Sequence, residues 1–322
     1  MSTQNLPDQA AHEQLRLLGS DPANWVTPNP AVDHNVVVVG GGQTGVTIAF
    51  ALRRAGIGNV SVIDAAEDES RAGVWLTSAR MRTLRTPKNR SGPELGIPAL
   101  GFQAWYEALH GPEAFAAIGR IARTDWAQYL GWYRRQVGIE VRYGTGLIDI
   151  DRADGNFALT LLVGGCERVE TARKVVFANG IEGSGGPNIP AIFRDLPRRL
   201  WAHTGDAINF DALRGRRIGV LGAATSALDG AAVALESGAC EVHVFSYRSD
   251  LVIQPTREHP QNPGLLENFH LQADDVRWKT RWAASSKGSS SPWDTVGRVT
   301  KCENFALHLT PPGRNCGPRA TR

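Results

Sequence analysis

The clearest pattern along the chain is an apolar run that changes abruptly into glycine. Residues 36–39 are four valines, and three glycines follow at 40–42. Apolar positions in 45–56 then recur at helical spacing, and VSVID at 60–64 is again typical of a strand. A strand, a glycine turn, a helix and a second strand in this order predict a βαβ unit.

The same pattern returns in the second half of the chain. IGVL at 218–221 leads into GAATSA at 222–227, and VHVFSYR at 242–248 predicts the strand after the intervening helix. Two such units predict an α/β protein with two Rossmann-like, three-layer domains. Between the units the spacing predicts two helices and a hairpin that leads into a buried strand, at 102–111, 125–138 and 157–180.

Clusters of glycine, proline and serine indicate where these parts begin and end. After about residue 253 the strand and helix patterns weaken, although ENFALHL at 303–309 is a candidate for a further strand. We therefore expect incomplete closure of the C-terminal sheet, as in a shortened chain, with a compact natural variant as the alternative. The predicted parts are an N-terminal helix and arm at 1–34, a first domain at 35–185, a linker at 186–214, a second domain at 215–300 and a flexible tail at 301–322.

The first glycine turn, GGGQTG at 40–45, has the G-x-G-x-x-G spacing between a strand and a helix. In that context glycines let main-chain amides approach a pyrophosphate, and the helix N-terminus adds partial positive charge. Asp64 ends the second strand, where a carboxylate accepts hydrogen bonds from a ribose. An ordinary tight turn is the alternative. The predicted cofactor-binding residues are Gly40, Gly42, Gln43, Thr44, Gly45 and Asp64.

The second turn is a weaker version of the first. Ala224 places a methyl group where the pyrophosphate would come closest, whereas Ala227 still allows close helix packing. Ser246 stands where an NAD-selective site would carry an acid, and an arginine two residues later suits a 2′-phosphate, which favours NADPH over NADH. A plain βα unit with a surface arginine is the alternative. The predicted nucleotide-binding residues are Gly222, Thr225, Ser226 and Arg248.

Together these motifs resemble the flavin monooxygenases of the Baeyer–Villiger and dimethylaniline type, over about residues 35–250. The resemblance implies FAD at the first turn and NADPH, or NADH, at the second. AGVW at 72–75 resembles the family's glycine–tryptophan turn near the flavin, which implies Gly73 and Trp75. VVFANG at 175–180 resembles the segment that returns to FAD. That segment implies Ala178 and Gly180.

Several further residues are candidates with two possible roles each. The family's Phe-x-Gly run ending in histidine is only partly present, so His203 is either a weak catalytic candidate or a linker residue. Arg85 and Lys88 are candidates for binding a phosphate or an anionic substrate, with solvated loop charges as the alternative. Trp126 and Tyr129 either pack near the flavin or belong to the core.

DPANWV, LRTPKNRSGPELGIPAL and WYEALHG further resemble a bacterial subgroup that includes an FAD-dependent urate hydroxylase. This implies that reduced flavin activates O2 to hydroxylate a small organic substrate, with urate and its product 5-hydroxyisourate as the candidate pair. Two alternatives remain open. One is an NAD(P)H oxidase or reductase without oxygen insertion, and the other is a catalytically inert dinucleotide-binding protein.

Composition and sequence pattern limit which partners the protein is expected to bind and where it is expected to be located. A net charge of +3 without a basic, aromatic stripe argues against nucleic acid. The N-terminal segment lacks the pattern of an export signal, and no apolar run approaches the about 20 residues that span a bilayer. The four cysteines form no C-x-x-C pair, so we expect no disulfide framework, zinc site or dithiol centre. A cytoplasmic location without membrane attachment follows, with a homo-oligomer left open.

Overall fold

A computed structural model describes residues 6–180, 183, 185–246 and 271–277, and the backbone of 306–309. The chain divides into two compact units, Met1–Pro187 and Asn188–Arg322. The domain boundaries predicted from the sequence are finer than this division and stay a prediction.

The first unit contains five helices and five strands among its described residues. Short 3-10 turns occur at Glu69–Arg71 and Pro98–Leu100. The helices are α1 (Leu6–Leu17), α2 (Gln43–Arg54), α3 (Phe102–His110), α4 (Pro112–Ala117) and α5 (Arg123–Val137). The strands are β1 (His34–Val39), β2 (Val60–Ile63), β3 (Thr145–Ala153), β4 (Asn156–Val163) and β5 (Cys166–Phe177).

These strands form one mixed sheet in the order β2-β1-β5-β4-β3. β1 pairs in parallel with β2 and β5, and β3, β4 and β5 form an antiparallel meander. Val39 pairs with Ile63 on one side and with Phe177 on the other, so the carboxyl ends of the three parallel strands are aligned. The turn between β1 and α2 therefore lies at the edge where open α/β sheets bind ligands.

Burial on both faces of the sheet explains the unbroken valine run of β1. Val37 and Val39 pack with Leu159 and Leu161 of β4 on one face. Val36 and Val38 pack on the other face with apolar residues of α2 and β2. A strand covered on both faces reads as continuously apolar rather than alternating, as parallel strands do.

A third cluster, rich in aromatic residues, lies among helices α1 to α5. Tyr129 is fully buried there, and its hydroxyl donates a hydrogen bond to the carbonyl of Leu100 at 2.8 Å. Burial raises the pKa of Tyr129, so this hydroxyl stays protonated as a donor. Trp126 packs against Tyr129 with ring centroids 5.0 Å apart. Of the two interpretations of these aromatics, the structure supports the core.

The second unit contains β6 (Arg217–Leu221), α6 (Thr225–Glu236), β7 (Glu241–Phe245) and β8 (Ala306–Leu309). β6 and β7 pair in parallel across α6, which is the predicted second βαβ unit. β8 pairs with β7 in the antiparallel sense and falls within the candidate strand at 303–309. Short 3-10 turns precede β6, at Ala191–Phe193, Arg198–Leu200 and Phe210–Leu213.

The predicted fold class is confirmed, because both glycine turns connect parallel strands through a helix. Some details were wrong. β3 and α4 were not predicted, and the strand ending at Phe177 was predicted to be buried, although Phe177 is 58% exposed. Cys240 is disulfide-bonded, a single bond that the cysteine spacing did not predict. Among the described residues, no helix is both long and apolar enough to cross a bilayer.

A charged network fastens the sheet and makes stability depend on pH. Glu170 accepts hydrogen bonds from both terminal guanidinium nitrogens of Arg142, at 2.6 and 2.7 Å, and lies 2.9 Å from His34 Nε2. The bonds from Arg142 lower the pKa of Glu170 to about 2, from 4.5. The ionised Glu170 carboxylate therefore stabilises the fold fully above pH 4.5. This contribution to stability is lost as the pH falls toward 2.

We expect Glu170→Gln to lower the free energy of unfolding by about 2 kcal/mol at pH 7, a figure discounted for partial solvent exposure of the pair. The deficit relative to wild type should shrink as the pH falls from 4.5 toward 2, because wild type then loses the same interaction. Urea unfolding at several pH values measures this difference. Glu167→Gln, an exposed change on the same strand, is the control. A deficit that does not vary with pH would contradict the expectation.

Candidate functional site

The first glycine turn is packed so tightly that two of its glycines are required by the fold. Gly40 has a φ of +109°, and a Cβ there would lie 2.6 Å from the carbonyl oxygen of Ala178. A Cβ on Gly45 would overlap the carbonyl oxygen of Gly40 outright. Helix α2 can therefore approach the turn only because position 45 has no side chain.

Gly42 differs from these two glycines, because neither backbone conformation nor packing requires it. Its φ of −73° and ψ of −171° are open to any residue. The nearest atom to a Cβ added at this position would be the Cα of Gly73, 3.9 Å away. The protein therefore leaves space at Gly42 that it does not itself fill.

That space belongs to a cavity of about 530 Å³ within the first unit, a size typical of small-molecule sites. Four of the predicted residues, from two separate segments, line it together, namely Gly42, Gln43, Gly73 and Trp75. Opposite them lie residues of α5, and α1 contributes Pro7 and Asp8. Six other predicted residues of this unit do not line the cavity, namely Gly40, Thr44, Gly45, Asp64, Ala178 and Gly180.

Asp64 anchors the loop. Its Oδ2 accepts a hydrogen bond from the Gly41 amide at 2.7 Å, and its Oδ1 accepts one from the Ala66 amide at 2.8 Å. A side chain on Gly41 would overlap Val141, so this glycine too is required by packing. Gly41 was not among the predicted residues, although it is the middle glycine of GGG at 40–42. The ribose contact of Asp64 stays a proposal.

The N-terminus of α2 is suited to an anion. Within the described part of the chain, no side chain caps this end of the helix, and its first turn carries no acidic residue. Its first amides and the positive end of the helix dipole therefore remain available at the cavity. Uncapped amides beside an unfilled glycine position fit the diphosphate of a dinucleotide.

The two family-implied segments lie against the same turn. The Ala178 amide donates to the carbonyl of Val39 at 2.8 Å, which extends the parallel pairing by one residue. Gly180 has a φ of +73° and open space around it. Trp75 lies edge-on to Trp126, with centroids 6.3 Å apart, and Arg123 donates to the Trp75 carbonyl.

The second turn repeats this geometry more loosely. Gly222 has a φ of +112°, and its amide donates to the carbonyl of Phe245 at 2.8 Å. A Cβ on Gly222 would lie 3.8 Å from that of Ala227, an ordinary contact. Ala224 begins α6 without a side-chain cap among the described residues, and Thr225 and Ser226 are exposed. Ser246 is half-buried at the end of β7, and Arg248 lies outside the described residues.

The remaining candidates are held by local contacts. His203, half-buried in the second unit, accepts a hydrogen bond at Nδ1 from the Gly205 amide at 3.1 Å. Lys88 is not a solvated charge, because its Nζ donates to the carbonyls of Phe115 and Ala116 at 2.6 and 3.0 Å. Arg85 is exposed, and its main-chain carbonyl accepts a hydrogen bond from the Arg120 guanidinium.

Several cavity residues escaped sequence reasoning because no motif marks them. Asp8 on α1 accepts hydrogen bonds from Trp132 Nε1 and Gln136 Nε2, at 2.8 and 3.0 Å. Glu69 and Arg134 both line the cavity, and Glu69 accepts a hydrogen bond from Arg134. Only the three-dimensional packing of α1, α5 and the segment after β2 brings these residues to one site.

Comparison with known proteins gives three kinds of similarity. A family model described as pyridine nucleotide-disulphide oxidoreductase matches residues 30–290. An FAD-dependent urate hydroxylase from Xanthomonas campestris pv. campestris is 39% identical over 97% of this chain. The chain spans 66% of the length of that relative.

Solved structures share the fold at low sequence identity. A cadaverine monooxygenase from Erwinia amylovora, solved with FAD, is 16% identical with a TM-score of 0.59, over 79% of this chain and 61% of that one. The reduced form of an ornithine hydroxylase from Pseudomonas aeruginosa is 20% identical with a TM-score of 0.57, over 80% and 63% of the two chains.

Proposed function

The chain belongs to the pyridine nucleotide-disulphide oxidoreductase family, and from its 39% identity to an FAD-dependent urate hydroxylase we propose that it is an FAD- and NAD(P)H-dependent monooxygenase. FAD would occupy the first glycine turn and NADPH, or NADH, the second. The structural observation that supports the FAD site is Gly42, a glycine that the fold does not need, which lines a cavity together with Gly73 and Trp75.

The proposed roles of the residues follow from their positions. The amides that begin α2 would bind the diphosphate, with Gly42 allowing close approach. Asp64 holds the loop in shape through Gly41 and would also bind the ribose. Trp75, fixed by Arg123 and packed on Trp126, would form an apolar wall that limits water at the reacting ring.

When bound, FAD reduced by NADPH supplies the electrons that activate O2, and this chemistry belongs to the cofactor rather than to a side chain. No dedicated acid–base pair is proposed. Gly222, Thr225 and Ser226 would bind the NADPH diphosphate, and Arg248 its 2′-phosphate. His203 remains the weak catalytic candidate.

Urate is the proposed substrate and 5-hydroxyisourate the proposed product. The support is the name of the relative that is 39% identical to this chain. The proposed reaction takes place in the cytoplasm on a small molecule and O2, and a homo-oligomer stays a prediction.

We expect the purified protein, incubated with FAD and freed of excess, to show a flavin absorbance band that NADPH bleaches under anaerobic conditions. Aerobic addition of urate should then increase oxygen uptake and consume urate. Hydrogen peroxide release without urate consumption would instead indicate an oxidase. A protein that stays colourless after incubation with FAD would contradict the proposal and indicate the inert alternative.

A further inference from the structure

The segment that follows β2 lines the cavity and is fastened to helix α5. This strap, residues 65–72, begins beside Asp64 and ends at Gly73, which has a φ of +71° and no neighbour that a Cβ would meet. Its middle forms the single 3-10 turn Glu69–Arg71, capped by Asp68. Glu69 accepts a hydrogen bond from Arg134 and lies 3.6 Å from Arg135, both on the last turn of α5.

Helix α5 is built to receive Glu69. Gly131 lies inside this helix, where glycine costs about 1 kcal/mol relative to alanine. A Cβ at Gly131 would lie 2.9 Å from Glu69 Oε1, so the missing side chain makes room for the carboxylate. The helix dipole accounts for two arginines in the last turn, but not for a glycine at this position.

The arginine that Glu69 binds lies on a wall of the same cavity as the glycine turn. Glu69, Gly131 and Arg134 all line it, together with Gly42. The side chain of Arg134 is 19% exposed, and its buried Nε has no hydrogen-bond partner in the described part of the chain. Glu69 accepts its hydrogen bond from one terminal nitrogen of Arg134, Nη2, whereas a guanidinium can bind a phosphate through two nitrogens.

We propose that Glu69 occupies the position of a ligand phosphate, and that a dinucleotide displaces it by binding its diphosphate to Arg134. This inference rests on the proposed dinucleotide function. Before binding, the carboxylate neutralises Arg134 and holds the strap against α5. On binding, the diphosphate accepts hydrogen bonds from the Arg134 guanidinium in place of Glu69. Glu69 then turns to solvent, and the strap moves about Gly73. Glu69 therefore competes with the dinucleotide for Arg134, and Arg134 binds the dinucleotide.

The test is the affinity for FAD of wild type, Glu69→Gln, Arg134→Gln and the control Glu67→Gln, by titration calorimetry without turnover. Glu67 lies on the same strap, is 73% exposed and pairs with Arg71 instead. Glu69→Gln removes the competing charge and should tighten FAD binding about threefold to fivefold, which corresponds to about 1 kcal/mol, the upper end for ion pairs near a protein surface. Arg134→Gln should weaken it by a similar factor, and the control should match wild type.

Riboflavin, which has no phosphate, distinguishes charge competition from a change of shape. Its affinity should be equal in all variants, and thermal melting verifies that each is folded. Weaker FAD binding by Glu69→Gln would show that Glu69 builds the site rather than competes for it, and would overturn the inference alone. Equal FAD affinity in wild type, Glu69→Gln and Arg134→Gln would also overturn the inference alone. Absence of FAD binding in every variant would overturn the proposed function and this inference with it.

Discussion

Gly45→Ala is expected to destabilise the first unit by about 3 kcal/mol or more, because the added methyl group has no space to occupy. A Cβ at position 45 would overlap the carbonyl oxygen of Gly40, which is main chain and cannot rotate away. Helix α2 would have to shift off the turn. The amides at its N-terminus would shift with it, so FAD binding should be lost as well. Urea unfolding and FAD titration measure both effects.

Gly230→Ala is the matched control. Gly230 lies inside α6, and a Cβ there would meet no atom within 4 Å. The same chemical change should therefore stabilise the second unit by about 0.5 to 1 kcal/mol, because alanine has less conformational freedom to lose on folding. A Gly45→Ala protein as stable as wild type would mean that α2 does not pack on the turn as described.

The sequence predicted the βαβ units well because their signals are local. A buried parallel strand has a continuous apolar run, and the glycine turn has fixed spacing, so β1, α2 and β2 were found within about two residues of their observed bounds. The short helix α4 and the strand β3 were missed. β3 does alternate apolar and charged residues from Ile148 to Asp151, a strand signal that was overlooked.

The site was less predictable, since most of its walls come from segments outside the glycine turn and the glycine–tryptophan segment. Gly42 and Gly73 were found through spacing and family resemblance. Glu69, Gly131 and Arg134 were missed, because their meaning depends on α5 packing beside the strap. The glycine inside α5 was visible in the sequence, but only the position of Glu69 explains it.

The two glycine turns also show how far a motif determines geometry. At the first turn, the third motif position is in contact with main chain and admits no side chain. At the second turn, Ala227 lies at ordinary contact distance from Gly222, so the helix sits farther from the strand end. The substitution of alanine for glycine in the sequence therefore corresponds to a looser turn, as its side-chain volume requires.

Gly42→Ala is expected to separate binding from folding. The backbone at Gly42 is in an ordinary region, and its Cβ would approach only the Cα of Gly73, at 3.9 Å, so the free energy of unfolding should change by less than about 0.5 kcal/mol. The methyl group would project into the cavity where a diphosphate approaches the main chain. We expect FAD affinity to fall about tenfold or more, which corresponds to at least about 1.4 kcal/mol of binding free energy.

The control for Gly42→Ala is Gly119→Ala, a change with no atom within 4 Å at a position that does not line the cavity. It should leave both the melting temperature and the FAD affinity unchanged. If Gly42→Ala instead lost stability, its glycine would have a packing role that the structure does not contain. If it kept both stability and full FAD affinity, the diphosphate would have to bind elsewhere. Since the fold requires Gly40, Gly41 and Gly45 on its own account, Gly42 is the position of this turn where a ligand requirement can be measured separately.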